Sequence, residues 1–117
     1  MGWIGCDLDE TLAEYEGGMA VLGVVGKPIP RMVRRIKRHL KLGDRVKIFT
    51  ARVNKVPGWD HKLQEQIIKA WCLCHLGQEL EVTNEKDGNM IFLYDDRAVG
   101  VEPRTGRLLS KPPRIRR

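Results

Sequence analysis

Long apolar runs are missing from this sequence: runs such as Met19-Ala-Val-Leu22 fall far short of the ~20 residues that a membrane-spanning helix requires. No basic stretch followed by an apolar one marks the N-terminus, so a signal peptide is not expected, and the chain reads as soluble and cytoplasmic. Low-complexity tracts are absent as well, which argues against disorder. Cysteine is scarce. Three thiols (Cys6, Cys72 and Cys74) make an odd count without a secretion signal, which speaks against a disulfide framework. Cys72-x-Cys74-His75 has a superficial likeness to a zinc site, but residues two apart on a helix do not share a face, and no second ligand pair exists elsewhere.

What the chain does have is enough apolar material for one core. Its 117 residues fit a single domain, expected over 1–110, and 42% of them are hydrophobic. Residues 111–117 form a basic tail. The net charge is +6, concentrated in that tail and in Arg31, Arg34, Arg35, Lys37, Arg38 and Lys41. Such a field attracts phosphorylated or nucleic-acid partners, and it is equally compatible with a solvated helix face.

Trp3-Ile-Gly-Cys6 reads as a short buried strand that runs into Asp7. A glycine-rich stretch follows, in which Ala20-Val-Leu22 is expected as a small strand or flap. Ile29, Met32/Val33, Ile36 and Leu40 recur at helical spacing behind Pro28 and Pro30, with Gly43 as a stop. Arg45–Thr50 is a second strand. Asp60 is a plausible N-cap for a helix whose face is predicted at Leu63, Ile67, Trp71 and Cys74, ended by Gly77. Leu80–Thr83, Met90–Tyr94 and Ala98–Val101 read as further strands. Strands alternating with helices predict an α/β fold with right-handed crossovers and a mostly parallel sheet.

In such sheets, ligands bind beyond the carboxyl ends of the strands. Asp7 and Asp9, Thr50, and Asp95 with Asp96 all fall there, each group after a different strand. Clustered carboxylates repel one another, and a hard divalent cation relieves this; all-oxygen ligands favour magnesium over zinc. A bound cation also holds a phosphate. Asp7 or Asp9 can then act as nucleophile, with the neighbour two residues away as proton donor and acceptor.

The same residues carry a resemblance. Asp7-Leu-Asp9-Glu10-Thr11-Leu12 resembles motif I of the haloacid dehalogenase-like superfamily of phosphohydrolases. Thr50 resembles its motif II, Lys86 stands where motif III supplies a lysine, and Asp95-Asp96 resembles motif IV. The Trp-Ile-Gly start, Ile-Phe-Thr-Ala-Arg and Asp-Asp-Arg-Ala-Val are similar to small, often phage-encoded members. The resemblance implies a Rossmann-like three-layer α/β/α sandwich and a magnesium-dependent phosphatase. It makes Asp7 the nucleophile that forms an aspartyl-phosphate, and Asp9 the acid and base whose backbone carbonyl ligates magnesium. Thr50 would hydrogen-bond a phosphoryl oxygen, and Lys86 would neutralise charge. Ala51, Arg52 and Arg97 are candidate substrate contacts, and each arginine is equally placed to form a salt bridge with a local carboxylate. Asp95, with Asp96 through water, would complete the metal site.

Glu10 replaces the glycine of many members. No inserted cap domain fits between the motifs, so an open site is expected. It would admit a nucleotide, a nucleic-acid 3′ end or another phosphomonoester. The alternative is a non-catalytic nucleic-acid-binding protein on the same scaffold.

Overall fold

The computed structural model describes residues 2–115. In chain order its elements are β1 (Trp3–Asp7), α1 (Pro30–Lys41), β2 (Val46–Phe49), a 3-10 turn (Ala51–Val53), α2 (His61–Leu76), β3 (Glu81–Thr83) and β4 (Met90–Tyr94). The strands form one sheet in the order β3-β2-β1-β4, and every pairing is parallel. β1 is central and is buried along most of its length, as its unbroken apolar run Trp3-Ile-Gly-Cys requires.

Alternate residues of the strands point to one face. Ile4, Cys6, Val46, Ile48 and Val82 pack there against Ile36 of α1 and Ile68, Trp71, Cys72 and Leu76 of α2. The steps from β1 to β2 and from β2 to β3 run in the same direction across the sheet, so two right-handed crossovers place both helices on the same side. The Rossmann-like α/β class is as expected. The layering is simpler than a three-layer sandwich, because the β3–β4 connection (84–89) carries no helix and, among the described residues, the second face has none. That face is closed by Trp3. Lys47 Nζ lies 4.5 Å from the centre of its ring and 2.8 Å from Glu81 Oε2. Gly5 makes room for the indole: a Cβ there would stand 2.8 Å from Leu93 Cδ1 and 3.1 Å from the Trp3 ring.

α1 starts with Pro30 in its first turn, where the missing N–H costs nothing, and its last turn carries Arg38 and Lys41, favourable charges for a helix C-terminus. All six cations named above on this helix are exposed. α2 begins at Asp60, whose side chain accepts from Leu63 N at 3.0 Å, and stops at Gly77 with φ +84°. Its buried face is rotated from the predicted one. Gln64, Ile68, Trp71, Cys72 and Leu76 are buried, whereas Leu63 and Cys74 are exposed. The helix has apolar residues all round, and the predicted stripe is one residue out of phase.

Ala20–Leu22 forms turns rather than a strand, within a flap (15–26) clamped at its base. Glu14 N donates to Lys27 O at 2.8 Å, and Gly26 approaches Glu14 so closely that any Cβ would collide with its carbonyl. Ala98–Val101 is likewise not a strand. Val101 makes a single antiparallel bridge to Leu108. Residues 111–115 of the basic tail are exposed and irregular, and its last two residues, Arg116 and Arg117, lie outside the described residues. No described helix is long and apolar enough to cross a membrane.

Candidate active site

An open cavity of about 400 Å³ lies beyond the carboxyl ends of β1, β2 and β4. Asp7, Asp9, Thr50, Ala51, Arg52, Asp95, Asp96 and Arg97 line it, so the structure gathers every predicted site residue except Lys86. Lys86 is exposed in the 84–89 connection, which leaves the carboxyl end of β3 and returns to the amino end of β4. Its neighbour Asp87 accepts from Trp3 Nε1 at 2.9 Å, at the opposite end of β1 from Asp7. Four residues without an expected site role also line the cavity: Glu10, Tyr15, Ala20 and Trp59.

Asp7 closes β1. Carboxylate oxygens of Asp7, Asp95 and Asp96 lie within 4.8 Å of one another. Burial pushes Asp7 up to about 7, aided by the Asp96 carboxyl and the Asp95 charge, and opposed by the Thr11 hydroxyl. Thr11 joins the two strand ends. Its Oγ1 stands 3.2 Å from Asp7 Oδ2 and 3.0 Å from Asp96 Oδ1, and it accepts from Asp96 N at 3.1 Å. A threonine four residues beyond the strand-terminal aspartate, inside the turn back from it, was the available signal. Oxygen donors only, from two strand ends, fit a hard divalent cation such as magnesium, with Asp7, Asp95 and Asp96 as its holders.

Asp9 stands apart from that cluster. Arg52 Nε donates to its Oδ2 at 2.9 Å and Arg52 Nη2 to its Oδ1 at 2.8 Å, a bidentate fork. The Arg52 side chain is only 3% exposed, and Nη1 donates to Val24 O in the flap at 2.8 Å. Arg52 is therefore committed to Asp9 and the flap instead of standing free for a phosphate, and the Asp9 carboxylate is no member of the carboxylate cluster. Arg97 lines the cavity with its side chain exposed, and its N–H donates to Asp95 Oδ1 at 2.8 Å.

Thr50 is buried at the end of β2. Its Oγ1 already accepts from Arg52 N at 3.1 Å, which leaves the hydroxyl proton to donate into the cavity. Glu10 adopts φ +69°, a left-handed conformation that glycine takes without strain. Its carboxylate offsets that cost by accepting from Tyr15 N at 2.6 Å. Cys6, directly before Asp7, is fully buried, and burial pushes its thiol far up, so it is inert.

The fold is that of a Rossmann-like α/β protein, with an acidic cavity at the sheet edge where such folds commonly bind ligands. No protein-family model and no curated protein matches the chain. Among solved structures, the fold is similar to that of a conserved protein from Bacteroides thetaiotaomicron. The TM-score is 0.57 at 23% identity, over 86% of this chain and 79% of that one.

Proposed function

We propose that the protein is a magnesium-dependent phosphohydrolase of the haloacid dehalogenase type, acting through Asp7. The observation that carries this reading is the convergence of Asp7, Asp95 and Asp96 oxygens within 4.8 Å beside the buried Thr50 and the Arg52-held Asp9. A divalent cation held by the three aspartates supplies neutralisation of the phosphoryl charge when bound. In the first step an Asp7 oxygen attacks phosphorus and the ester P–O bond breaks, and the leaving oxygen takes the proton that Asp9 carries once the Arg52 fork has opened to release one of its oxygens. In the second, Asp9 takes a proton from water, whose oxygen attacks phosphorus and frees Asp7 and phosphate. Protons and bonds balance over the cycle. Thr50 Oγ1 orients a phosphoryl oxygen by donation, and Arg52 fixes where Asp9 stands. Lys86 has no part in this scheme.

The test is phosphate release from an aryl phosphate with and without Mg2+. Turnover that needs the ion and vanishes in Asp7→Asn is expected; turnover retained by Asp7→Asn sinks the role of Asp7. The six exposed cations of α1 favour a second reading, a nucleic-acid-binding protein with no catalysis. It requires salt-sensitive binding that persists in Asp7→Asn without metal, and no phosphate release from any ester.

A further inference from the structure

Next to the acidic cavity lies another of about 310 Å³, lined by Ala51, Asn54, Val56, Pro57, Gly58 and Trp59. Ala51 and Trp59 line both, so the two spaces meet across the 3-10 turn. Their chemistry is opposite. Carboxylates and guanidinium groups face the first, whereas no charged side chain lines the second. Its walls are a methyl group, an isopropyl group, a pyrrolidine ring and an indole, with one carboxamide.

These walls are stiff. Val56-Pro57-Gly58-Trp59 is a turn closed by Trp59 N donating to Val56 O at 3.0 Å, with Gly58 at φ +78° as a type II turn demands after proline. Trp59 Nε1 donates to Arg52 O at 2.7 Å, which fixes the plane of the ring. Asn54 Oδ1 accepts from Asn84 Nδ2 at 2.7 Å, which orients its amide and leaves the amide hydrogens to donate. A pocket formed in advance costs little ordering on binding.

An ester whose phosphate sits at Asp7 and whose leaving group extends past Ala51 meets an uncharged slot with an aromatic face and one amide. A charged leaving group loses solvation there without compensation. A nucleobase is neutral and flat, stacks on an indole, and offers ring nitrogens and exocyclic oxygens to an amide donor. We propose that the 54–59 loop is a nucleobase subsite and that the substrate class is a nucleoside monophosphate, an inference that rests on the phosphohydrolase reading above.

The test compares adenosine 5′- or 3′-monophosphate, whichever turns over faster, with the base-free ribose 5-phosphate, in the full chain with Mg2+. The base is expected to raise kcat/KM at least tenfold, on the order of one stacked base. Val56 is 53% exposed, so Val56→Asp places a carboxylate in the slot without disturbing the core, and it is expected to erase that ratio. Equal kcat/KM with and without the base, or a ratio that Val56→Asp leaves intact, overturns the subsite. Adenosine alone separates this inference from the one beneath it. Trp3 and Trp71 are buried, so Trp59 is the indole that a solute reaches, and adenosine is expected to quench its fluorescence saturably in wild type but not in Val56→Asp. Saturable quenching with no turnover of any ester sinks the phosphohydrolase and retains the subsite. Turnover of all esters at equal efficiency, without quenching, sinks the subsite alone.

Discussion

Arg52 grips Asp9 by both carboxylate oxygens, at 2.9 and 2.8 Å, while its third nitrogen holds the flap at Val24 O. One buried side chain thus fixes the proposed proton carrier and the loop beside it. Removing it leaves a partly buried carboxylate without its partner and a carbonyl without its donor. Arg52→Ala is expected to cost about 2–3 kcal/mol in urea unfolding and to lower turnover at least a hundredfold. Arg52→Lys keeps the charge and loses the fork, so stability returns in part and turnover much less. Wild-type stability in Arg52→Ala would show that the fork contributes nothing.

The raised Asp7 carboxyl gives a pH dependence with a definite sign. Its folded value of about 7 lies above the ordinary 3.8, so between those limits the folded chain binds more protons than the unfolded one. Stability attributable to Asp7 is therefore full at low pH and falls as pH rises toward 7. In EDTA, the melting temperature of wild type relative to Asp7→Asn is expected to drop from pH 5 to pH 8. Mg2+ is expected to reverse this, raising the melting temperature more at pH 8 than at pH 5, because it competes with the proton. A wild-type minus Asp7→Asn difference that does not change with pH would refute the assignment.

Thr11→Val preserves shape and deletes the hydroxyl shared by Asp7 and Asp96. The expected cost is about 1 kcal/mol of stability, with the Mg2+ concentration for half-maximal activity raised about tenfold, the usual effect of removing a group that orients metal ligands. A metal titration of activity in both proteins decides it; superimposable curves exclude an orienting role.

Lys86→Ala is expected to change kcat/KM by less than about twofold, in line with surface changes away from a site. A loss of a hundredfold or more would mean that Lys86 reaches Asp7 during turnover. Neutralisation of the phosphoryl charge would then be shared between the cation and Lys86.

The class of fold was legible because strand and helix periods alternate cleanly from Trp3 to Tyr94, and the acidic edge followed from where Asp7, Thr50 and Asp95 fall after strands. Asp60 and Gly77 bounded α2 as read, since caps are local. The face of α2 was not legible. Leu63, Ile67, Leu73 and Ile68 offer apolar groups on all sides, and the buried face includes Gln64, whose Nε2 donates to Ala20 O at 2.8 Å. Only the tertiary partner reveals why a glutamine belongs inside. Lys86 was misplaced for a related reason. A connection without periodicity carries no direction, and its path back to the amino end of β4 is set by the parallel pairing with β1. Tyr15 and Trp59 were missed because they belong to loops, where no repeat marks the side that faces the cavity.

The strand order places the last strand of the chain beside the first. Asp7 is made early in the sequence, but Asp95 and Asp96 reach it only when β4 docks on β1, across some eighty intervening residues whose closure is slow relative to local contacts. A chain folded only through β3 would hold Asp9 in the grip of Arg52 and have no cluster of aspartates to receive a cation. The proposed site is therefore complete only once the last strand has docked, because a chain stopped before β4 lacks two of its three clustered aspartates.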